Sequence, residues 1–462
     1  MAAAASSESS SILGDFQQIL RKIPLKYSDA LYDWQSDLII RKNKDRENVS
    51  SKSTRGISLR AFSGNGWLYA NGNETDSSGI LKLAHRLKAG KTKTLSAKLS
   101  LPPPIAVNKE VPVKKNANDV PLEDKLQKVR EIFNLAKSLD QRIVDVRVAY
   151  SDSVLDRTLA SSSGTAARQV IPRTRISLIV IVKENAVTDS DYIQVGGTVG
   201  YEVVDDLSGD AIRGIVKSAV EQLRAIPAPR GLQTVLLEPG VVGTVCHESF
   251  GHGLEADQAL RGRSYLREML GKKVASEQVT MYEDASYEGA FGSYCFDDDG
   301  VLAKRNTIVE KGILVNFIHD IESAAAMNAS LTGNSRTQNA TRRRFIRMTN
   351  TYAKPGDWSM DEMVRDTRNG VLMMHWQYGM EDPLGGGMEV VANKGYIIKN
   401  GEKTTPLKSI TLTGRVFDVL GNVDAVSKDG FMIDAGVCGK GSEDFVPVGS
   451  GGTWWRTKAV VA

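Results

Sequence analysis

Two of the five histidines in these 462 residues fall within six positions, in the run Cys246-His247-Glu248-Ser249-Phe250-Gly251-His252-Gly253. Two imidazoles are good borderline ligands for zinc, and a carboxylate beside the first can accept a proton from metal-bound water. The run is one residue longer than the H-E-x-x-H zinc motif. At about 100° per residue, an i,i+4 pair lies roughly 40° apart around a helix, whereas an i,i+5 pair such as His247 and His252 lies roughly 140° apart. A regular helix does not aim both rings at one ion. Either a π-type widening or a bend must intervene, and Gly251 is the place for it. The competing reading, two histidines and a glutamate on a partly exposed helix, loses ground to context. The segment follows a strand-like run at 232–239 and lies among Gly240, Gly243, Gly251 and Gly253, which permit close approach.

A catalytic zinc needs a third protein ligand and an open position for water. Cys246, Cys295, Cys438, His85, His319 and His375 remain to supply it. Cys246 adjoins His247, so its side chain points away from the second imidazole in most backbone geometries, and Cys295 lies in an apolar strand-like run; both read as packed residues. Cys438 sits in a glycine-rich turn at 436–441 that leaves its sulfur accessible, with Lys440 nearby to favour a thiolate. On these residues alone, ligand and free surface thiol are equally open.

The elements that must position these groups form two regions. An apolar stripe through Leu122, Leu126, Val129, Ile132, Phe133, Ala136 and Leu139 predicts a helix, and alternation through Val144, Val146, Val148 and Tyr150 predicts a strand. Strand is also predicted at 174–182, a hairpin around a Gly-Asn-Gly turn at 56–69, and helices at 80–87 and 206–226. Pro227 and Pro229 close an N-terminal α/β region, 12–226, with a mixed sheet and helices. The remainder, 227–462, alternates short β-like runs (307–317, 388–399, 409–416, 431–436) with Gly, Asn and Asp, which predicts a β-rich, barrel-like domain and an α+β fold overall. The Ala/Ser-rich start, 1–11, reads as a disordered tail, and the Pro-rich stretch 101–118 as a linker or excursion with no regular element.

Composition narrows the function classes. Lys and Arg number 59 against 55 Asp and Glu, a net charge of +4 that gives no reason to expect nucleic acid. No apolar run reaches bilayer length, so no membrane partner is expected. Three cysteines, an odd and sparse set, suit a reducing compartment, and the cytoplasm is the expected location.

Three separated segments together resemble the TldD/PmbA family. They are 247–255, Arg347-Met348-Thr349-Asn350-Thr351-Tyr352, and Gly436-Val437-Cys438-Gly439-Lys440, with Gly385 to Gly387 also matching. The resemblance runs from about residue 28 to the C-terminus and is strongest after Gly231. It implies a zinc metallopeptidase with His247, His252 and Cys438 as metal ligands and Glu248 as the catalytic base. It also implies a dimer, with itself or with a metal-free TldE/PmbA-like homologue, enclosing a chamber for unfolded or short peptides. Alternatives are a regulatory zinc-binding subunit and a maturation hydrolase with one dedicated substrate. Tyr265, His319 and Arg347 are chemically able to stabilise an oxyanion, though each reads first as structural. The basic run Arg342-Arg343-Arg344 reads as a solvated face, and Asp297-Asp298-Asp299-Gly300 as a turn, since no glutamate follows at calcium-loop spacing. The glycines 385–387 could open a strand edge to a peptide backbone.

Overall fold

Val146, Val148 and Tyr150 on one strand face Val180, Leu178 and Ile176 on the next, and all six side chains are buried. This pair, Ile143–Ser161 and Ala166–Glu184, is the centre of a seven-stranded sheet in a computed structural model describing residues 2–64, 66–89, 98–441 and 443–462. Outward from Ile143–Ser161 come Tyr27–Lys42, Glu47–Phe62 and Trp67–Gly72, all antiparallel. Val144 breaks the predicted alternation: a register shift between Ile143 and Asp145 turns it to solvent. The turn between Phe62 and Trp67 has Asn65 outside the described residues.

Helices cover this sheet with the apolar stripes their periodicity predicts. Leu122–Ser138 buries Leu126, Val129, Ile132 and Ala136 of its predicted stripe, while Leu122 and Leu139 at the ends are exposed, and Gly209–Gln222, capped by the Ser208 hydroxyl accepting from Ala211 N–H, buries Ile212, Val216 and Ala219. A second pair, Ala2–Leu20 and Ser77–Ala89, covers the other part.

Two expectations fail here. Residues 2–11, expected as a disordered tail, begin the helix Ala2–Leu20, whose second half docks on the sheet through Ile12, Phe16, Ile19 and Leu20. Within 101–118, Ala106–Glu110 forms a strand parallel to Ala166–Val170. It is an exposed edge held by main-chain bonds, so its side chains carry no periodic signal.

The C-terminal part is built around a closed five-stranded barrel. Its strands are Gly231–Leu237, Asn369–Glu381, Gly387–Lys399, Glu402–Arg415 and Trp455–Val461, closed by pairing of Leu412 with Val461 and Thr413 with Val460. A six-stranded sheet lies beside it, ending in Asn350–Ala353, Glu443–Gly452 and Met432–Lys440. The helix Pro239–Cys246, buried at every residue, packs between the two. An added Cβ at Gly243 would lie 2.5 Å from Gly451 N, so glycine is required where helix meets strand.

Ion pairs join the two parts. Asp299 receives Arg60 at 2.6 Å, Asp29 receives Arg60 at 2.6 Å and Arg344 at 2.8 Å, and Arg157 bridges Asp33 and Asp298. The turn reading of 297–300 holds, with Gly300 at φ +81°. The solvated-face reading of the arginine run holds for Arg342 and Arg343 and fails for Arg344, which is buried between two carboxylates.

Candidate metal centre

Strand Gly231–Leu237 passes through Glu238 into the helix Pro239–Cys246, with Pro239 at the first helical position where its missing N–H costs nothing. The helix then widens into a π-turn over His247–Gly251. Of the two irregularities the i,i+5 spacing allowed, the widening is the one found. The turn is braced by the Ser249 hydroxyl donating to Val245 O and by the Tyr265 hydroxyl donating to Ser249 O. A Cβ at Gly251 would sit 1.8 Å from Met348 Sδ, so the second segment of the resemblance packs directly on the first. The two rings stand edge to face, with centroids 5.3 Å apart and planes at 86°.

Cys438 comes to them from Met432–Lys440, where it pairs with Val446 of the adjoining strand. Its Sγ is 3.4 Å from His252 Nε2, and one donor atom each from His247, His252 and Cys438 lies within 4.8 Å of the others. The sulfur is not accessible in a loop as expected; Cys438 is 5% exposed. Burial alone would push its thiol up, but the His247 charge and hydrogen bonds from both rings outweigh this and bring it down to about 4. Lys440 has another task. It binds Glu255 at 2.9 Å and Asp257 at 2.9 Å. Glu255 in turn faces His252 Nδ1 at 3.9 Å and Arg347 Nε at 3.8 Å, while Arg347 Nη2 donates to the Cys438 carbonyl at 2.5 Å. Lys440 and Arg347 thus hold the carboxylate behind one imidazole, and Arg347 also holds the backbone behind the thiol.

Glu248 is half-buried beside this trio. Burial raises its pKa, partly countered by His247 and His252. The barrel strand Asn369–Glu381 lies against it so closely that a Cβ at Gly379 would meet Glu248 Cγ at 2.7 Å. That strand ends at Glu381, a residue the sequence reading missed. Burial lifts its carboxyl to about 7, with His252 pulling down and Glu248 pushing up, and its Oε2 is buried without a hydrogen-bond partner. No local pattern marks Glu381, because closure of the barrel brings it here.

The other candidates lie elsewhere. Cys246 is fully buried and Cys295 packs beside Leu31 and Phe296, and burial pushes both thiols up. His85 is exposed on its helix, His319 is buried against Ser323 and Thr332, and the His375 ring bonds Asp191. The glycines 385–387 open no free edge: Gly387–Lys399 is paired on both sides, and Gly386, at φ +69°, allows approach to the Tyr265 ring.

Two imidazoles and a thiol, with His247 Nδ1 buried and without a hydrogen-bond partner, form a nitrogen and sulfur donor set able to hold one metal ion. Nitrogen and sulfur donors fit zinc rather than calcium or magnesium, which take oxygen.

Models of the PmbA/TldA metallopeptidase match the chain three times: domain 1 over 32–90, the central domain over 115–225 and the C-terminal domain over 230–453. A metalloprotease of Methanocaldococcus jannaschii is 35% identical, covering 93% of this chain and 95% of the relative. A metalloprotease TldD homolog of Haemophilus influenzae is 31% identical, covering 86% and 84%. Among solved structures, TldE from Thermococcus kodakarensis shares the fold with a TM-score of 0.78 at 16% identity, over 97% of this chain and 100% of that one.

Proposed function

The chain belongs to the TldD/PmbA metallopeptidase family, and on that premise we propose that it is a zinc-dependent peptidase with ligands His247, His252 and Cys438 and general base Glu248. The observation that carries the reading is the convergence of three nitrogen and sulfur donors within 4.8 Å beside a half-buried carboxylate. Zinc held by these three residues would supply a water acidified to a pKa of about 7 and a Lewis acid for a peptide carbonyl. Glu248 takes up a proton at its carboxylate and returns it to the leaving amine, a role its upward-shifted pKa suits. Glu255, fixed by Lys440 and Arg347, orients the His252 ring from behind.

The substrate in this reading is an unfolded or short peptide, and the working unit a dimer with itself or with a TldE-like homologue. The test is hydrolysis of a mixed peptide library by zinc-loaded protein and by Glu248→Gln. Cleavage by the first and none by the second supports the reading, and equal cleavage by both removes Glu248 from it.

A further inference from the structure

A cavity of about 940 Å³ opens between the N-terminal sheet and the C-terminal part. Two of its lining guanidiniums, Arg173 and Arg336, are only 7% and 6% exposed, and neither has a carboxylate within ion-pair distance among the described residues. Arg157, beside them, is neutralised by Asp33 and Asp298. The cavity carboxylate Asp297 is spent on the backbone N–H groups of Asp299, Val301 and Ser335.

The two arginines are held by carbonyls instead. Arg173 donates to Phe291 O at 2.8 Å and Ser293 O at 3.1 Å through Nε and Nη2, so its Nη1 bonds nothing among the described residues. Arg336 donates to Met348 O and, at 2.8 Å, to Pro447 O. Asp298 and Glu283 attract Arg336 from beyond ion-pair distance, whereas no carboxylate bears on Arg173, and a buried cation without a counter-charge is unfavourable unless a ligand supplies one. Burial, with the charges of Arg336 and Arg157 added, brings Arg173 down to about 9.

The cavity wall is the hairpin that carries Cys438. Val446, its register partner, lines the cavity, as do Val437 and Phe445, which are 56% and 65% exposed. Apolar side chains next to guanidiniums suit a carboxylate on a peptide better than a free inorganic anion, because a guanidinium takes a carboxylate by two parallel hydrogen bonds while the chain covers apolar surface.

We propose that this cavity binds a peptide carboxylate, either an acidic side chain or a free C-terminus, through Arg173 and Arg336. The anion site stands on Arg173, buried with no carboxylate acting on it, and on Arg336 beside it without an ion-pair partner; that a peptide bears the anion rests on the peptidase reading.

The experiment is fluorescence anisotropy of a labelled extended peptide on zinc-loaded full-length protein carrying Glu248→Gln, which prevents turnover. Four versions are compared: Glu with free C-terminus, Gln in its place, C-terminal amide, and both changes. The acidic peptide is expected to bind about tenfold tighter than the doubly neutral one, and the single changes identify which carboxylate matters. Arg173→Gln is expected to abolish the difference. Gln338→Glu, at an exposed cavity position, places a competing carboxylate there and is expected to reduce it. Equal affinities of all four peptides, or an undiminished preference in folded Arg173→Gln, would overturn the proposal. If Arg173→Gln does not fold, Gln338→Glu decides: an undiminished preference there overturns it equally. Because binding is read without hydrolysis, an acidic preference in the Glu248→Gln protein together with no cleavage by zinc-loaded wild type would sink the peptidase reading and leave the anion site standing.

Discussion

Cys438 Sγ lies 3.4 Å from His252 Nε2, although 186 positions separate the two residues in the chain. The thiol is carried by a strand and the imidazole by a π-turn, and Arg347 fixes the strand at the Cys438 carbonyl.

Purified protein is expected to hold about one zinc per chain. Cys438→Ala and His252→Ala should lose it, while Cys246→Ala and Cys295→Ala, which alter packing only, should keep it. Metal analysis of the four variants checks this, and full occupancy in Cys438→Ala would refute the ligand set.

Glu248→Gln is expected to retain zinc and lower peptide hydrolysis by about 10² or more, since the amide fills the same space without accepting a proton. The paired readout is metal content and turnover on the same preparation. Loss of both would reassign Glu248 to holding the metal.

Gly251→Ala places a methyl where Met348 Sδ now lies, and is expected to cost about 1–3 kcal/mol of stability and to weaken zinc binding. Met348→Ala should relieve the clash, so the double variant should recover zinc affinity relative to Gly251→Ala alone. Unchanged affinity in the single variant would mean that the π-turn does not depend on this contact.

Asp299→Asn is expected to destabilise the chain by about 3–5 kcal/mol, because it strips a carboxylate from the buried cations Arg60 and Arg344. Denaturant unfolding compares it with wild type. A change below about 1 kcal/mol would show that Asp29 alone suffices for the two guanidiniums.

His319 has its pKa lowered by burial from 6.5 to about 4. Between those values the unfolded chain binds a proton that the folded chain does not, so the folded state loses stability as pH falls through that window. The loss amounts to at most about 3 kcal/mol. His319→Gln is expected to flatten the fall in unfolding midpoint between pH 6.5 and 4, and a slope equal to wild type would show that other groups govern it.

How much of this was legible in the sequence follows the range of the interaction involved. The i,i+5 spacing of His247 and His252 already required a widened or bent helix, because the angle between the rings is a property of six consecutive residues. The helical stripe through Leu126, Val129 and Ile132, and the alternation through Val146, Val148 and Tyr150, were equally local and came out as buried faces. Cys438 was only one of two open readings until the resemblance, and its thiolate is set by imidazoles from a distant turn rather than by neighbouring Lys440. Glu381, the burial of Arg344 and the edge strand Ala106–Glu110 were settled by strand register, barrel closure and the docking of two parts. Each of these depends on which residues far apart in the chain exclude water together, and that is written in no short window of sequence.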